Sequence, residues 1–309
     1  MGCMNDVAAQ LIDSGQRDRI VRRFGAGALN WLEGLPARAQ ELADDWELTL
    51  LGAAPHGQTS VVVRCRQSDG SAAILKLSPD PALIAMEGRT LGLWAPTRRV
   101  PDVYRVDPRR GGLLMEAIEP GDSIAQGGVL PPLTDIGELI AELHSVPAPE
   151  SVLREMYPLD IRINFVFELW ERRRAEGPAA EVVPASMVHH GHALARALAC
   201  ARENVVPLHG DLHPGNVLVG GPERGLVAVD PRGCVGDPAA DAVDWAVWRA
   251  ASVGEVRERV EILAPAIGVP PKRLMDWCRA LAPLLAVGLA DKEQTATPEY
   301  AAVVELAES

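Results

Sequence analysis

Three polar side chains in the segment 209–233 have the types and the spacing of a phosphoryl-transfer site. Asp211 stands five residues before Asn216, and Asn216 stands fourteen residues before Asp230. Amide and carboxylate oxygens are hard ligands that suit Mg²⁺, which they can share with phosphate oxygens and water. A carboxylate beside such a metal site can accept the proton of an attacking hydroxyl group. The residue types therefore predict that Asn216 and Asp230 bind Mg²⁺ and that Asp211 is the base.

The residues that separate Asn216 from Asp230 predict the element that would bring them together, a β-hairpin. The pattern indicates a short strand at 217–219, a turn at 220–222 and a returning strand at 226–229. Neighbouring strands lie roughly 5 Å apart, so the two side chains would reach the same end of the hairpin. The alternative is a polar loop whose Asp and Asn side chains only form local turns with the backbone.

The same segment resembles a known family. Residues 209–216, His-Gly-Asp-Leu-His-Pro-Gly-Asn, have the His-x-Asp-x-x-x-x-Asn spacing of a kinase catalytic loop. The loop is similar to that of the aminoglycoside phosphotransferase family, in which Gly takes the place of the Arg of protein kinases. The continuation at 229–233 and 236–238 resembles the branch of streptomycin 6-phosphotransferases and hydroxyurea kinases. Protein kinases have Asp-Phe-Gly where this chain has Asp230-Pro231, which argues against their movable Phe switch.

The resemblance covers roughly Trp46 to the C-terminus, and it implies an α+β, bilobal protein-kinase-like fold. We expect an N-terminal lobe at 1–117, whose antiparallel sheet of five strands and helices would cover the nucleotide. We expect a mainly helical C-terminal lobe at 118–309, which would contain the catalytic loop and the substrate site. The residue pattern favours strands at 47–51, 61–63, 72–77, 103–106 and 113–117.

A lysine and a glutamate have the placement of a nucleotide-binding ion pair. Lys76 is near the end of a predicted strand, and Glu87 is on the predicted helix 81–94 that follows. Kinases use such a pair to hold the α- and β-phosphates of ATP. Lys76 is the only lysine in the first 270 residues, so a compact ammonium is used where arginine is otherwise preferred. The alternatives are an edge-strand lysine that reaches solvent and a glutamate on a solvated helix face.

Further nucleotide contacts are predicted around that pair. The loop 52–60 is rich in small residues, and Gly57 and Ser60 would let backbone N–H groups approach phosphate oxygens. As bare sequence, the loop is equally an ordinary hairpin turn. The resemblance further implies a hinge after the strand 113–117, with adenine contacts at Glu116 and Ile118 and with Met115 lining the pocket.

The charge balance favours a cationic partner. The chain has 309 residues and a net charge of −12, which argues against nucleic acid. The resemblance implies a cationic aminoglycoside, and in the family the C-terminal region helps to form its pocket. We expect Asp211, Glu168, Asp291 and Glu293 to contact this substrate. The alternative is that the acidic residues only keep the protein soluble.

Two other residues are predicted to be structural. His144 lies in an apolar helix pattern, and we interpret it as a packing residue. In the family, the counterpart of Asp241 supports the catalytic loop rather than taking part in the chemistry.

Other features of the sequence bear on its environment. The five cysteines are scattered without a Cys-x-x-Cys pair, which is typical of reduced thiols in the cytoplasm. The N-terminus lacks a secretory h-region, and no apolar run approaches the ~20 residues of a membrane span. We therefore expect a cytoplasmic protein without a membrane or nucleic-acid partner, and we expect a monomer.

The sequence thus predicts an ATP- and Mg²⁺-dependent O-phosphotransferase that acts on an aminoglycoside, favouring the streptomycin type, and so confers resistance. One alternative is a kinase of another small hydroxylated or amine-bearing metabolite, such as a sugar amine, choline or hydroxyurea. Another alternative is a non-catalytic ATP-binding pseudokinase. The presence of Lys76, Asp211, Asn216 and Asp230 argues against the pseudokinase, which usually lacks one of these residues.

Overall fold

A computed structural model describes residues 11–54, 60–201 and 204–309 of the chain. The chain forms two compact units, and the division lies between Gly121 and Asp122. The first unit contains a β-sheet with flanking helices, and the second unit is mainly helical.

Three helices precede the sheet of the first unit. They are α1 (Ser14–Phe24), α2 (Ala28–Glu33) and α3 (Leu35–Asp45). Pro36 lies in the first turn of α3, where a missing backbone N–H costs no helical hydrogen bond. The apolar face of α3 is buried, and Ala39 and Leu42 belong to the same hydrophobic core as the inward-facing residues of the sheet.

The sheet of the first unit has five antiparallel strands in the order β1-β2-β3-β5-β4. The strands are β1 (Thr49–Ala53), β2 (Val61–Arg66), β3 (Ala72–Leu77), β4 (Val103–Asp107) and β5 (Gly112–Glu116). Alternate residues of β2 are buried, as expected for a sheet with one face on the core. This sheet confirms the five-stranded arrangement that the sequence predicts.

A single long helix, α4 (Pro81–Trp94), connects β3 to β4. The Asp80 carboxylate accepts hydrogen bonds from the backbone N–H groups of Ala82 and Leu83, so it caps the helix. The bounds of α4 are those predicted from the cap and the proline that follows it.

The second unit consists mostly of helices. They are α5 (Ile124–Gly127), α6 (Leu133–Ser145), α7 (Glu150–Glu155), α8 (Leu159–Glu176), α9 (Ala185–Cys200), α10 (Gly221–Arg224), α11 (Val243–Val247), α12 (Val253–Ala266), α13 (Pro271–Ala290) and α14 (Pro298–Glu308). Helix α13 is central, because it packs against α8, α9, α12 and α14. The residue pattern predicts a helix over 164–176, whereas α8 begins five residues earlier, at Leu159. Its first turn includes Ile161, which is 49% exposed and therefore breaks the apolar pattern.

Short strands of the second unit support the loop 209–216. One sheet has the order β6-β10-β7, where the strands are β6 (Tyr157–Pro158), β7 (Val206–Leu208) and β10 (Cys234–Gly236). The other sheet is a hairpin of β8 (Val217–Val219) and β9 (Leu226–Ala228). Strand β7 enters the loop, and the hairpin leaves it, so both ends of the loop are attached to paired backbone.

In the described part of the chain, no helix is both long enough and apolar enough to span a bilayer.

Candidate active site

The start of the loop is held by the carboxylate of Asp241, which lies in the 3₁₀ turn Pro238–Ala242. Its Oδ2 accepts a 2.7 Å hydrogen bond from the backbone N–H of His209, and its Oδ1 accepts a 2.9 Å bond from that of Gly210. The ring Nε2 of His144 lies 3.0 Å from the same Oδ2. Burial by itself would raise the pKa of Asp241, but the hydrogen bond from His144 and nearby charges hold it below its ordinary value. Asp241 is thus a buried anion that fixes the loop backbone.

His209 connects the loop to the hairpin. Its Nδ1 accepts a hydrogen bond from the backbone N–H of Asp211, so its Nε2 carries the proton that it donates to the carbonyl of Val229 over 2.9 Å. Burial lowers the pKa of His209, which keeps the ring neutral in this arrangement. The side chain of His209 therefore ties the two ends of the segment 209–229 to each other.

The Asp211 carboxylate is held by an arginine from helix α8. Nη2 of Arg162 donates to Oδ1 of Asp211 over 3.2 Å, and Nε of Arg162 donates to the carbonyl of Gly210 over 3.1 Å. Burial would raise the pKa of Asp211, but the charges of Arg162 and then His213 outweigh it, so the pKa lies below its ordinary value. The side chain remains 36% exposed. Asp211 is therefore an ionised carboxylate that a second molecule can reach.

The hairpin predicted from the sequence is confirmed, and its paired strands place the backbone of Asn216 beside Val229, the residue before Asp230. Val217 pairs with Ala228, and the backbone N–H of Val229 donates to the carbonyl of Asn216 over 2.9 Å. Nδ2 of Asn216 donates to the backbone carbonyl of Asp211 over 2.9 Å. Because this bond uses the nitrogen of the amide, the side-chain oxygen Oδ1 remains for a cation.

The donor set of this hairpin suits a hard cation. Asn216 offers an amide oxygen and Asp230 offers a carboxylate, and both are ligands that Mg²⁺ binds. Asp230 has φ of +59°, a left-handed conformation that Asp tolerates better than most residues. The residues present therefore fit a magnesium ion, with phosphate oxygens and water as its remaining ligands.

In the first unit, Lys76 and Glu87 form the predicted ion pair. Nζ of Lys76 lies 2.7 Å from both carboxylate oxygens of Glu87, and both side chains are fully buried. Lys76 is on β3, which is flanked by β2 and β5. The alternatives of an edge-strand lysine and a solvated glutamate are therefore wrong.

Four of the other predicted nucleotide contacts lie in the described part of the first unit. Ser60 is buried, and its backbone carbonyl accepts a hydrogen bond from Gln16. Met115 is buried near the end of β5, while Glu116 and Ile118 are partly exposed. Gly57 lies outside the described residues.

Two groups of predicted substrate residues lie away from Asp211 along helix α8. Glu168 lines a groove between α8 and α9, together with Phe167 and His192. At 100° per residue, it points to a different side of α8 from Arg162, six residues earlier. A Cβ atom on Gly177, which follows α8, would lie 3.1 Å from the carboxylate of Asp291, and Glu293 is two residues further on. Helical rise places Gly177 roughly 22 Å from Arg162.

Sequence reasoning did not identify Arg162, and it did not predict the hydrogen bond of His144. Arg162 is 49 residues from Asp211, and His144 is 97 residues from Asp241. No local pattern joins residues so far apart. The only available signal for Arg162 was a basic residue in the first turns of a helix that packs beside the loop.

The chain is similar in sequence to known phosphotransferases. The sequence profile of the family described as aminoglycoside/hydroxyurea antibiotic resistance kinase matches residues 45–292. A hydroxyurea phosphotransferase of Kitasatospora aureofaciens is 30% identical over 280 residues, which cover 90% of this chain and 78% of that protein. A streptomycin 6-kinase of Streptomyces glaucescens is 31% identical over 271 residues, which cover 83% of each chain.

A solved structure supports the fold. The choline kinase of Streptococcus pneumoniae in complex with AMP superimposes with a TM-score of 0.61 at 14% identity, and the match covers 87% of this chain and 96% of that one. With the sheet of the first unit and the helices of the second, this likeness confirms the expected α+β, protein-kinase-like fold.

The buried ion pair generates a prediction about stability. Replacing Lys76 by Met removes the cation beside the buried Glu87 carboxylate, which should lower the free energy of unfolding by about 3–5 kcal/mol. The double variant Lys76→Met/Glu87→Leu should recover most of that loss, because no charge is left in the core. Urea unfolding of both variants measures the difference. Equal stability of the single and double variants would contradict the prediction.

The anion under the loop generates a second prediction. In Asp241→Asn, one side-chain oxygen replaces two, and the amide N–H group of the new side chain faces a backbone N–H group. The free energy of unfolding should therefore fall by about 2–3 kcal/mol at pH 7. Because the pKa of Asp241 is depressed in the folded state, its contribution is complete above the ordinary carboxyl pKa of 3.8 and is lost as the pH falls through the folded value. The difference in the free energy of unfolding between wild type and Asp241→Asn should therefore become smaller below pH 3.8.

Glu150→Gln is the control for that experiment. Its ion pair with Arg154 is on the surface, with both side chains about three-quarters exposed, so the substitution should change stability by less than about 1 kcal/mol. If the difference in the free energy of unfolding between Asp241→Asn and wild type stays constant down to acid pH, the charge of Asp241 does not stabilise the fold.

Proposed function

The chain belongs to the aminoglycoside/hydroxyurea antibiotic resistance kinase family, and on that premise we propose that it transfers the γ-phosphoryl group of ATP to a hydroxyl group of a streptomycin-type aminoglycoside, with Mg²⁺ as cofactor. Phosphorylation would inactivate the antibiotic and confer resistance. The observation that carries the proposal is the arrangement of Asp211, Asn216 and Asp230 on one loop and hairpin.

Asp211 has the properties of the base in this reaction. Its carboxylate is ionised at neutral pH, partly exposed and in contact with Arg162. We propose that it accepts the proton of the acceptor hydroxyl while the hydroxyl oxygen bonds to the γ-phosphorus. The bond from that phosphorus to the bridging oxygen of ADP breaks in the same step. Such catalysis depends mostly on positioning and on neutralising phosphate charge.

Asn216 and Asp230 would hold the metal. The amide orientation set by the hydrogen bond to the Asp211 carbonyl leaves the Asn216 oxygen for this purpose. A bound Mg²⁺ ion would neutralise charge on the phosphate oxygens and orient them.

The nucleotide would be held by residues of the first unit. Lys76 would contact the α- and β-phosphates, and Glu87 would keep its ammonium group in place. Ser60 and Gly57 would cover the phosphates, and the segment of Met115, Glu116 and Ile118 would contact adenine. The AMP complex of the structurally similar choline kinase supports an adenine nucleotide.

The nature of the acceptor is supported by charge and by similarity. A net charge of −12 attracts a polycationic molecule such as an aminoglycoside. The similarity to a streptomycin 6-kinase favours streptomycin, and the similarity to a hydroxyurea phosphotransferase makes hydroxyurea the second candidate. Among the acidic residues proposed to contact the acceptor, Asp211 is at the loop, and Glu168, Asp291 and Glu293 would contact more distant amino or guanidino groups.

An acceptor panel tests the proposal directly. ADP release with ATP and Mg²⁺ should be rapid with streptomycin and slow with other aminoglycosides, choline, simple amino sugars and hydroxyurea. Rapid turnover of hydroxyurea alone would replace the aminoglycoside with the second candidate. If ATP binds but no acceptor is turned over, the chain is not a kinase of these compounds.

Removal of the base tests the mechanism. Asp211→Ala should lower kcat by about 10²–10⁴-fold, because proton transfer to a positioned base contributes that much. ATP affinity, measured by calorimetry, should change little, since Asp211 contacts the acceptor rather than the nucleotide. Asp276→Ala is a control, because its surface ion pair with Lys272 lies on α13. Turnover by Asp211→Ala at the wild-type rate would exclude the proposed base.

A further inference from the structure

Arg162 contacts the loop at two adjacent points. Its Nε donates to the backbone carbonyl of Gly210, and its Nη2 donates to the Oδ1 atom of Asp211. One planar guanidinium group therefore bridges a backbone oxygen and a side-chain oxygen of neighbouring residues. A fork of this kind fixes direction as well as distance, because its N–H groups point along set lines.

Residue 210, next to Asp211, cannot carry a cationic side chain of its own. Gly210 has φ of +72°, and a Cβ atom there would lie 2.8 Å from the backbone carbonyl of Arg232. A side chain at residue 210 is therefore excluded by both conformation and space. The cation that contacts Asp211 comes instead from helix α8, which is 49 residues away in the sequence.

The start of α8 is fixed to the same sheet as the loop. Strand β6, which directly precedes α8, pairs with β10, and β10 pairs with β7, which leads into the loop. Leu159 and Ile163, on either side of Arg162, are buried. A Cβ atom on Gly236 of β10 would lie 2.5 Å from Cβ of Leu159, so the helix start sits directly on this strand. Arg162 is thus carried on a rigid support.

The bridge distinguishes the two carboxylate oxygens of Asp211. Within the described residues, Oδ1 accepts a hydrogen bond from Arg162, whereas Oδ2 has a single long contact, 3.4 Å from Nδ2 of Asn216. The carboxylate side chain is still 36% exposed. Rotation about the terminal side-chain bond would exchange the two oxygens, and the hydrogen bond from Arg162 opposes that rotation.

We infer that Arg162 is a positioning residue, which holds the Asp211 carboxylate so that Oδ2 faces the hydroxyl group of the acceptor. This inference rests on the proposed function of Asp211 as the base. Arg162 does not contact the acceptor, and its effect passes through the orientation of Asp211. Misplacing a reacting group by about 1 Å can lower a rate by about 10²-fold. Loss of the Arg162 contact should therefore lower kcat and leave nucleotide binding nearly unchanged.

Substitution of Arg162 tests this role. In Arg162→Gln, kcat for the acceptor that the wild type phosphorylates should fall about 10- to 100-fold, while KM for ATP should stay within a factor of two or so. Arg162→Lys should be intermediate, since a single ammonium cannot donate along both lines at once. Arg154→Gln on α7 is the matched control, because this arginine is exposed and pairs with the exposed Glu150, so its loss should leave kcat unchanged.

Chemical rescue separates positioning from general folding. Methylguanidine at a millimolar, non-denaturing concentration should raise kcat of Arg162→Ala and have no effect on Arg154→Ala. Thermal unfolding of each variant shows whether the fold is kept, and Arg162→Lys serves if the neutral variants do not fold. Wild-type kcat in Arg162→Gln, or a loss of kcat without rescue in a folded Arg162→Ala, would overturn the inference.

The Asp211→Ala variant in the same assay distinguishes the two hypotheses. If Asp211→Ala is inactive and Arg162→Gln is fully active, the inference about Arg162 fails and the proposed base stands. If Asp211→Ala is fully active, the proposed base fails and the inference fails with it.

Discussion

The candidate site depends on one buried anion, the carboxylate of Asp241. A buried carboxylate is unstable unless donors surround it, and here the donors are two consecutive backbone N–H groups at the start of the loop and the ring of His144. The need to satisfy this charge determines where His209 and Gly210 lie. Because Asp211 follows directly, its backbone position is set by the same interaction. The charge that stabilises the loop is therefore separate from the charge that would do chemistry.

The supports of the loop converge on a small sheet. Strand β7 leads into the loop, β10 lies beside it, and β6 on the other side of β10 leads into helix α8. Each of these strands has only two or three residues, so the sheet contributes little stability by its own hydrogen bonds. Its effect is geometric, since it places the start of α8 at a constant distance from the loop. The Arg162–Asp211 contact is a consequence of that arrangement.

Most of the local structure could be predicted from the sequence, because its signals are local. The Asp-Pro cap of α4, the two strands after Asn216 and the alternation in β2 each involve residues within a few positions of one another. The Lys76–Glu87 pair was also predictable, since strand and helix are consecutive and their order limits the partners. In contrast, Arg162 with Asp211 and His144 with Asp241 join segments 49 and 97 residues apart. Contacts between residues so far apart in the sequence depend on how helices pack against the rest of the fold, and no pattern of residues within one helix specifies that packing. The acidic residues Glu168, Asp291 and Glu293 show the same limit, because their charge was visible in the sequence and their distance from Asp211 was not.

Two ion pairs of this protein, Lys76–Glu87 and Arg162–Asp211, differ in the way expected for a structural carboxylate and for the proposed base. Glu87 and Lys76 are fully buried, and the cation lies equally close to both carboxylate oxygens. Because this glutamate is fully buried, no molecule from solvent can reach its oxygens, which suits a residue that would keep an ammonium group in place. Asp211 is partly exposed, and Arg162 contacts only one of its oxygens. Such a one-sided contact keeps the carboxylate charged and oriented without closing it off. A symmetric, buried pair at Asp211 would hold the anion more firmly, but it would block the oxygen that we propose receives the proton. The asymmetry of the Arg162 contact would therefore allow one ion pair to orient Asp211 and still leave an oxygen of the proposed base accessible to an acceptor.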